Sequence, residues 1–163
     1  MHANWRIVID PITDPQVIDI LVYHRATLFE NSPANTVFAL GLTGLRAPRL
    51  TLWTAWEGPT LLGCGALQDR DDGAGEVKAM RTHPQHRRRG LARPRLGVIV
   101  VGATARGQSR RLLETGSAPL FDAAMALDRE AGFCPFSCFC PYSGNGFSRF
   151  FELALAGVRS GIA

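Results

Sequence analysis

Long apolar runs are scarce in this chain. The longest, Leu96 to Ala105, is too short to span a bilayer, and Met1 to Asp10 holds no apolar stretch of the kind that opens a secretory signal. Neither a membrane partner nor export is therefore expected. Cysteine is scarce as well, with four residues at Cys64, Cys134, Cys138 and Cys140. Nothing in their spacing marks a secreted disulfide framework, so reduced thiols in a cytoplasm are expected. The run Cys134-x-x-x-Cys138-x-Cys140 lacks a second Cys-x-x-Cys and a matching His pair. It reads as buried strand thiols, and no metal is expected. The Gly-x-Ser-x-Gly turn of a serine hydrolase is missing. Internal repeats, low-complexity segments and linkers are missing too. The 163 residues are expected to form one domain, 1–163, long enough to bury a real core.

What is present is ordinary in bulk and uneven in detail. Hydrophobic residues make up 46% and charged residues 20%, which fits a globular domain. The formal charge is +4, but Arg87, Arg88, Arg89, Arg93 and Arg95 crowd into one short stretch. Such clustering points to a local phosphate site more than to a surface tracking nucleic acid. No aromatics interleave with the arginines, and no nucleic-acid module is visible, so no nucleic-acid partner is expected.

The periodicity changes along the chain. Trp5 to Asp10 is a β-rich run ended by Pro11. Asp14-Pro15 is a helix start, with Asp as N-cap and Pro at the first helical position. Val17, Ile18, Leu21, Val22 and Leu28 then recur at helical spacing to about Phe29. Ser32-Pro33 repeats the start signal, and Val37, Phe38 and Leu40 predict a short second helix closed by Gly41 and Gly44. Leu50 to Trp56 and Leu61 to Leu67 predict an antiparallel hairpin around a four-residue loop, Glu57 to Thr60. A polar loop, Asp69 to Gly75, leads to a strand from Glu76 to Thr82. After Gly90 a helix runs to about Arg106, with Pro94 tolerated in its first turn and Gly107 at its end. Arg110 to Thr115 is a strand that the crossover rule makes a parallel neighbour of the preceding one. A helix from Ala118 to Ala131 turns Phe121, Ala124, Met125 and Leu127 inward. Phe133 to Cys140 and Phe147 to Leu153 are terminal strands. The expected fold is an α/β (α+β) mixed sheet with one parallel junction.

Beside that junction lies the feature that organises the rest. The strand ends at His83-Pro84, passes through Arg87-x-x-Gly90-x-Ala92 and enters a helix. Exposed N–H groups and the positive end of the helix dipole meet there, an arrangement suited to a pyrophosphate.

In this element order, the turn Arg87-x-x-Gly90-x-Ala92 resembles the pyrophosphate loop Q/R-x-x-G-x-G/A of the GNAT superfamily of acetyl-CoA-dependent N-acetyltransferases. Ala131-Gly132-Phe133 is similar to the closing L-G-F of that superfamily. Ser32–Leu40, Trp53–Trp56, Leu62–Leu67, Glu76–Thr82 and Leu113–Gly116 resemble a small, poorly characterised bacterial subgroup. The resemblance implies the acyl-CoA N-acyltransferase fold, with about seven strands and four helices and a sheet splayed between strands four and five. It implies acetyl-CoA as cosubstrate and transfer to a primary amine of a small molecule or peptide. Met80, Arg81 and Thr82 would line the pantetheine and acetyl group. Arg87, Arg88, Arg89, Gly90, Leu91 and Ala92 would cradle the phosphates. Two positions depart from the pattern. The tyrosine that serves many members as general acid falls at Asp128, and an ionised Asp cannot donate a proton. An asparagine near the start of the same helix is Phe121.

Acetyl transfer asks for a held thioester, a polarised carbonyl and a proton acceptor. The candidate bases are Glu76 on the fourth strand and Glu114 on the fifth. Their plain alternatives are a solvated strand-start carboxylate and a salt bridge with Lys78 or Arg81. The thiolate-protonating acid would be Tyr142, Ser117 or water. His83 and His86 read as phosphate or solvent contacts. A non-catalytic acyl-CoA-binding or regulatory module is the rival reading. A homodimer through the apolar final strand, Phe147–Leu155, is a further expectation.

Overall fold

The computed structural model describes residues 4–34, 36–37, 39–117, 119–137 and 145–154. Seven strands form one sheet in the order β1-β2-β3-β4-β5-β7-β6. They are β1 (Trp5–Ile9), β2 (Leu50–Glu57), β3 (Thr60–Asp69), β4 (Ala74–Thr82), β5 (Arg110–Thr115), β6 (Cys134–Pro135) and β7 (Arg149–Ala154). The helices are α1 (Pro15–Glu30), α2 (Leu42–Leu45), α3 (Ala92–Ala105) and α4 (Asp122–Glu130). Every strand pair is antiparallel except β4 with β5, which run parallel as the crossover predicts.

Helix α1 starts as its sequence directs. The Asp14 side chain accepts from the Gln16 N–H at 2.8 Å, and Pro15 opens the first turn. Val17, Ile20 and Leu21 are buried against Leu52, Trp56, Leu61, Cys64 and Ala66 on one face of the sheet. Val22, one of the apolar residues at helical spacing, is 55% exposed, whereas Ile20 is buried. The opposite face packs Trp53, Leu67, Val77, Leu113 and Phe151 against Ile99 of α3, with Met125 and Leu127 of α4. Helices therefore cover both faces, α1 on one and α3 with α4 on the other.

Several boundaries differ from expectation. The second helix lies at Leu42–Leu45, after Gly41 as its N-cap, rather than before it. Thr36 instead closes a turn, with both its N–H and its hydroxyl donating to the Pro33 carbonyl. The Ser-Pro signal thus starts a turn that does not propagate. Phe38 lies outside the described residues. The β2–β3 hairpin turns on two residues, Gly58 at φ +56° and Pro59, instead of four. Strand β4 begins at Ala74, because Asp72 caps the Ala74 N–H at 3.1 Å and Gly73 takes φ +79°. The penultimate strand is only Cys134–Pro135. Residues 138–144 and 155–163 are outside the described set.

Strands β4 and β5 pair over four rungs, Ala74↔Arg110 to Val77↔Leu113. Beyond that point β4 continues to Thr82 and β5 to Thr115 without pairing with each other. This is the splayed sheet expected of the fold, open at the end where the arginine-rich turn lies.

Candidate active site

The fork begins at a bulge. In register, Lys78 faces Ala66 and Arg81 faces Cys64, so Ala79 and Met80 together oppose Gly65. Ala79 takes φ +52°, a costly conformation for a residue with a side chain. The bulge lets Lys78 and Arg81 share the α1 face. Met80 turns to α3, packed near Ile99, and Thr82 follows it toward Arg95. A Cβ on Gly65 would lie 2.4 Å from the Met80 sulfur, so glycine leaves the room that Met80 fills. The His83 N–H donates to the Leu62 carbonyl at 2.8 Å. By the alternation of an antiparallel ladder, the N–H and C=O of Thr82 turn the other way, toward the unpaired side. That edge is free to pair with an extended ligand.

The turn after β4 is built in short steps. The His83 side chain caps a 3-10 turn, Pro84–His86, by accepting from the Gln85 N–H at 3.2 Å. His83 therefore has a structural task. Arg88 at φ +63° and Gly90 at φ +75° are left-handed, with Arg89 between them. Alternating handedness of this kind gathers N–H groups into an anion-binding concavity. A Cβ on Gly90 would meet nothing within 4 Å, so what glycine supplies here is the dihedral, not space. Leu91 is buried against Ala55 and Leu62 and pins the turn to the sheet. Ala92 opens α3. The three consecutive arginines divide their work. Arg89 pairs with Glu57 at 2.9 Å and lies over the Trp5 ring, fastening the turn to the end of β2. Its hydrogen bond holds the Glu57 carboxyl below its ordinary range. Arg87 and Arg88 are exposed and join no ion pair among the described residues.

Under the turn sits Arg95, 1% exposed. Its guanidinium donates to the Leu91 carbonyl at 3.3 Å, the Cys64 carbonyl at 2.8 Å, the Arg81 carbonyl and the Thr82 hydroxyl. One side chain thus ties the phosphate turn, β3 and β4 together. Each of these acceptors is neutral, and burial lowers its pKa. The sequence hid this role within the arginine cluster. The available signal was Arg95 lying four residues after Leu91, on the buried side of an otherwise apolar helix.

The two candidate bases come together. Glu76 is buried and pairs with Lys78 at 2.9 Å. Glu76 stands in register with Leu112, and Glu114 lies two residues beyond Leu112. Glu114 and Lys78 thus face one another across the mouth of the fork, on the α1 face. Burial raises the pKa of Glu114; a hydrogen bond with Ser148 and the Lys78 charge oppose the shift, and Glu76 adds to it. Ser117 lines a cleft of about 390 Å³ at the ends of β5 and β7, with Met125, Arg129, Ser148 and Phe150. Tyr142 lies outside the described residues. Asp128 is pushed up to about 7 by burial alone. The expectation of a fully ionised carboxylate there is therefore revised: near neutral pH a large share of the carboxyl keeps its proton. Phe121 is buried edge-on to Phe147 and packs the start of α4. No cluster of metal-ligating side chains occurs among the described residues.

Known proteins resemble this chain. The family described as acetyltransferase (GNAT) matches residues 19–133. The uncharacterized N-acetyltransferase YsnE of Bacillus subtilis is 43% identical over 127 residues, covering 78% of this chain and 84% of its own. The uncharacterized N-acetyltransferase YedL of Escherichia coli is 39% identical over 146 residues, covering 90% and 92%. Among solved structures, a Bacillus subtilis acetyltransferase in complex with CoA superposes with a TM-score of 0.68 at 17% identity, over 93% of this chain and 99% of that one.

Proposed function

The chain belongs to the GNAT family of acetyltransferases, and from that membership we propose that it moves the acetyl group of acetyl-CoA to a primary amine of a small molecule or peptide by direct attack in a ternary complex. One observation carries the reading. The β4–β5 fork opens onto a left-handed, arginine-bearing turn at the start of α3. Pantetheine would lie along the free edge of β4 at Thr82. The pyrophosphate would sit on the turn from Arg87 to Ala92.

In the reaction the acceptor nitrogen attacks the thioester carbonyl. A C–N bond forms and the C–S bond breaks. The ammonium proton goes to a carboxylate, and the departing thiolate takes one up. Glu114 suits the first role, since burial raises its affinity for a proton while Ser148 and Lys78 keep it ionisable. Glu76 holds Lys78 beside it. At the position where the family commonly has tyrosine, burial pushes Asp128 up to about 7, which would let it hold a proton for the thiolate. This weakens the main argument for a non-catalytic acyl-CoA-binding module.

Calorimetric titration with acetyl-CoA tests the cofactor, and sub-millimolar binding is expected. Arg87→Glu combined with Gly90→Asp should weaken binding by about a hundredfold or more, because two negative charges face the phosphates. Wild-type affinity in that variant would refute the phosphate turn. Release of free thiol on addition of an amine library tests turnover, and CoA binding without release on any amine would favour the non-catalytic module.

A further inference from the structure

Arg81 was expected to line the cofactor, but its side chain leaves the α3 face altogether. It crosses to α1, where Nε donates to Nδ1 of His24 at 3.0 Å and the guanidinium lies 5.6 Å over the Tyr23 ring. Neither contact neutralises it. His24 is held to about 3 by burial first and by Arg81 second, so its ring is uncharged at neutral pH. With Nδ1 accepting, the ring proton belongs on Nε2. All 14 acidic side chains lie in the described part of the chain. None of them forms an ion pair with Arg81 there. The guanidinium is half-buried and so not fully hydrated, and Arg87 adds like charge. A guanidinium oriented through Nε and stacked on a ring leaves its two Nη groups as a fork, the geometry that grips a carboxylate with two parallel hydrogen bonds.

The location narrows the occupant. The phosphate turn and α3 belong to one face of β4, with Met80 and Thr82. Arg81 belongs to the other, with Lys78, Glu76 and Glu114 across the fork. An acceptor that brings its nitrogen to the carboxylates from this side passes the Arg81 fork.

We propose that Arg81 is an acceptor-binding residue, and that the amine acetylated by this enzyme bears a carboxylate of its own, as amino acids do. The proposal rests on the acetyltransferase reading of the fork. Tyr23 and His24 are positioning residues: they hold the guanidinium in place and do not touch the acceptor.

The test is acetyl transfer by the full chain to a series of α- to ω-amino acids, each paired with its carboxamide. Wild type is expected to prefer the acid over its amide by about ten- to a hundredfold in kcat/KM, the worth of a charge-assisted pair. Arg81→Gln should raise KM for the acids by a similar factor, with kcat and the acetyl-CoA KM little changed and the amides unaffected. Arg81→Lys should restore part of the preference. Equal use of acid and amide by wild type would overturn the proposal without any variant, so it stays testable if Arg81→Gln does not fold. Weakened acetyl-CoA binding in Arg81→Gln, with acceptor KM unchanged, would return Arg81 to the cofactor and also overturn it. Wild type that binds acetyl-CoA yet acetylates no amino acid refutes the proposal alone. Wild type that does not bind acetyl-CoA refutes the parent reading, and this one with it.

Discussion

Arg95 brings a full charge into a site where its four acceptors are neutral. Burial of that charge is costly, and the return is geometric: a planar fork satisfies several acceptors at fixed angles. Two substitutions separate charge from geometry. Arg95→Lys keeps the cation but cannot span the acceptors, and should cost about 2–4 kcal/mol by leaving buried polar groups unmet. Arg95→Met gives up both, recovers the desolvation penalty, and should cost less. Urea unfolding compares them, and the reverse order would show that charge itself is what the site needs. Asp128 gives a pH signature. Its folded pKa, about 7, lies above the ordinary aspartate value of 3.8, so the folded state holds the proton more tightly. The associated stability is complete below pH 4 and is lost as pH rises through 7. Asp128→Asn should therefore match wild type below pH 4 and exceed it at pH 8, by at most about 4 kcal/mol. A constant difference across pH would remove the titration. Sequence alone named Asp128 as a departure but not the upward push on its carboxyl, because burial on one side of a short helix is not visible in its composition. Arg81 was named too, yet its face depended on the bulge at Ala79, which no local pattern announces.

At the level of elements, the site is made by a strand that stops pairing. Glycine decides where β3 and β4 approach. A Cβ on Gly63 would come within 2.3 Å of Arg95 Nη1 and 2.7 Å of the Arg81 carbonyl. The guanidinium cannot yield without dropping its acceptors, and the carbonyl is backbone. Gly63→Ala should cost about 2–4 kcal/mol and weaken CoA binding, since it pushes on the anchor of the phosphate turn. Gly90→Ala has open space and should cost only about 1 kcal/mol, for its positive φ. Thermal melts of the two variants check the ranking, and equal losses would contradict it. The main elements were legible because each carries a local rule. Asp14-Pro15 caps α1, Gly107 closes α3, and the apolar strands bracket Gly58. The second helix was misplaced because Ser32-Pro33 is equally good at starting a turn, and only Leu45, buried in the core, decides where a helix is worth forming. The β4–β5 pairing was legible from the crossover, whereas the extent of the fork depended on register.

At the scale of the whole molecule, the charges sort along the sheet. At the closed end of the β4–β5 pair, Asp69, Asp71, Asp72 and Glu152 are matched by Arg106, Arg49, Arg70 and Arg110. At the open end Arg81, Arg87, Arg88 and Arg95 join no ion pair among the described residues. Arg87 and Arg88 are exposed beside the fork, and their field should draw a polyanion such as CoA to that end. Exposed charges are screened at a Debye length of about 10 Å in 0.1 M salt, whereas Arg95 is shielded by burial. CoA affinity should therefore fall by about tenfold between 0.05 and 0.5 M NaCl and then level off, the residue being the buried and backbone contribution. Arg87→Gln should flatten the salt dependence. Asp72→Asn at the far end should leave it unchanged, even if it loosens the β3–β4 turn. Calorimetry across the salt series separates the two. A slope that Asp72→Asn alters as much as Arg87→Gln would mean that net charge, not its placement around the fork, sets the affinity.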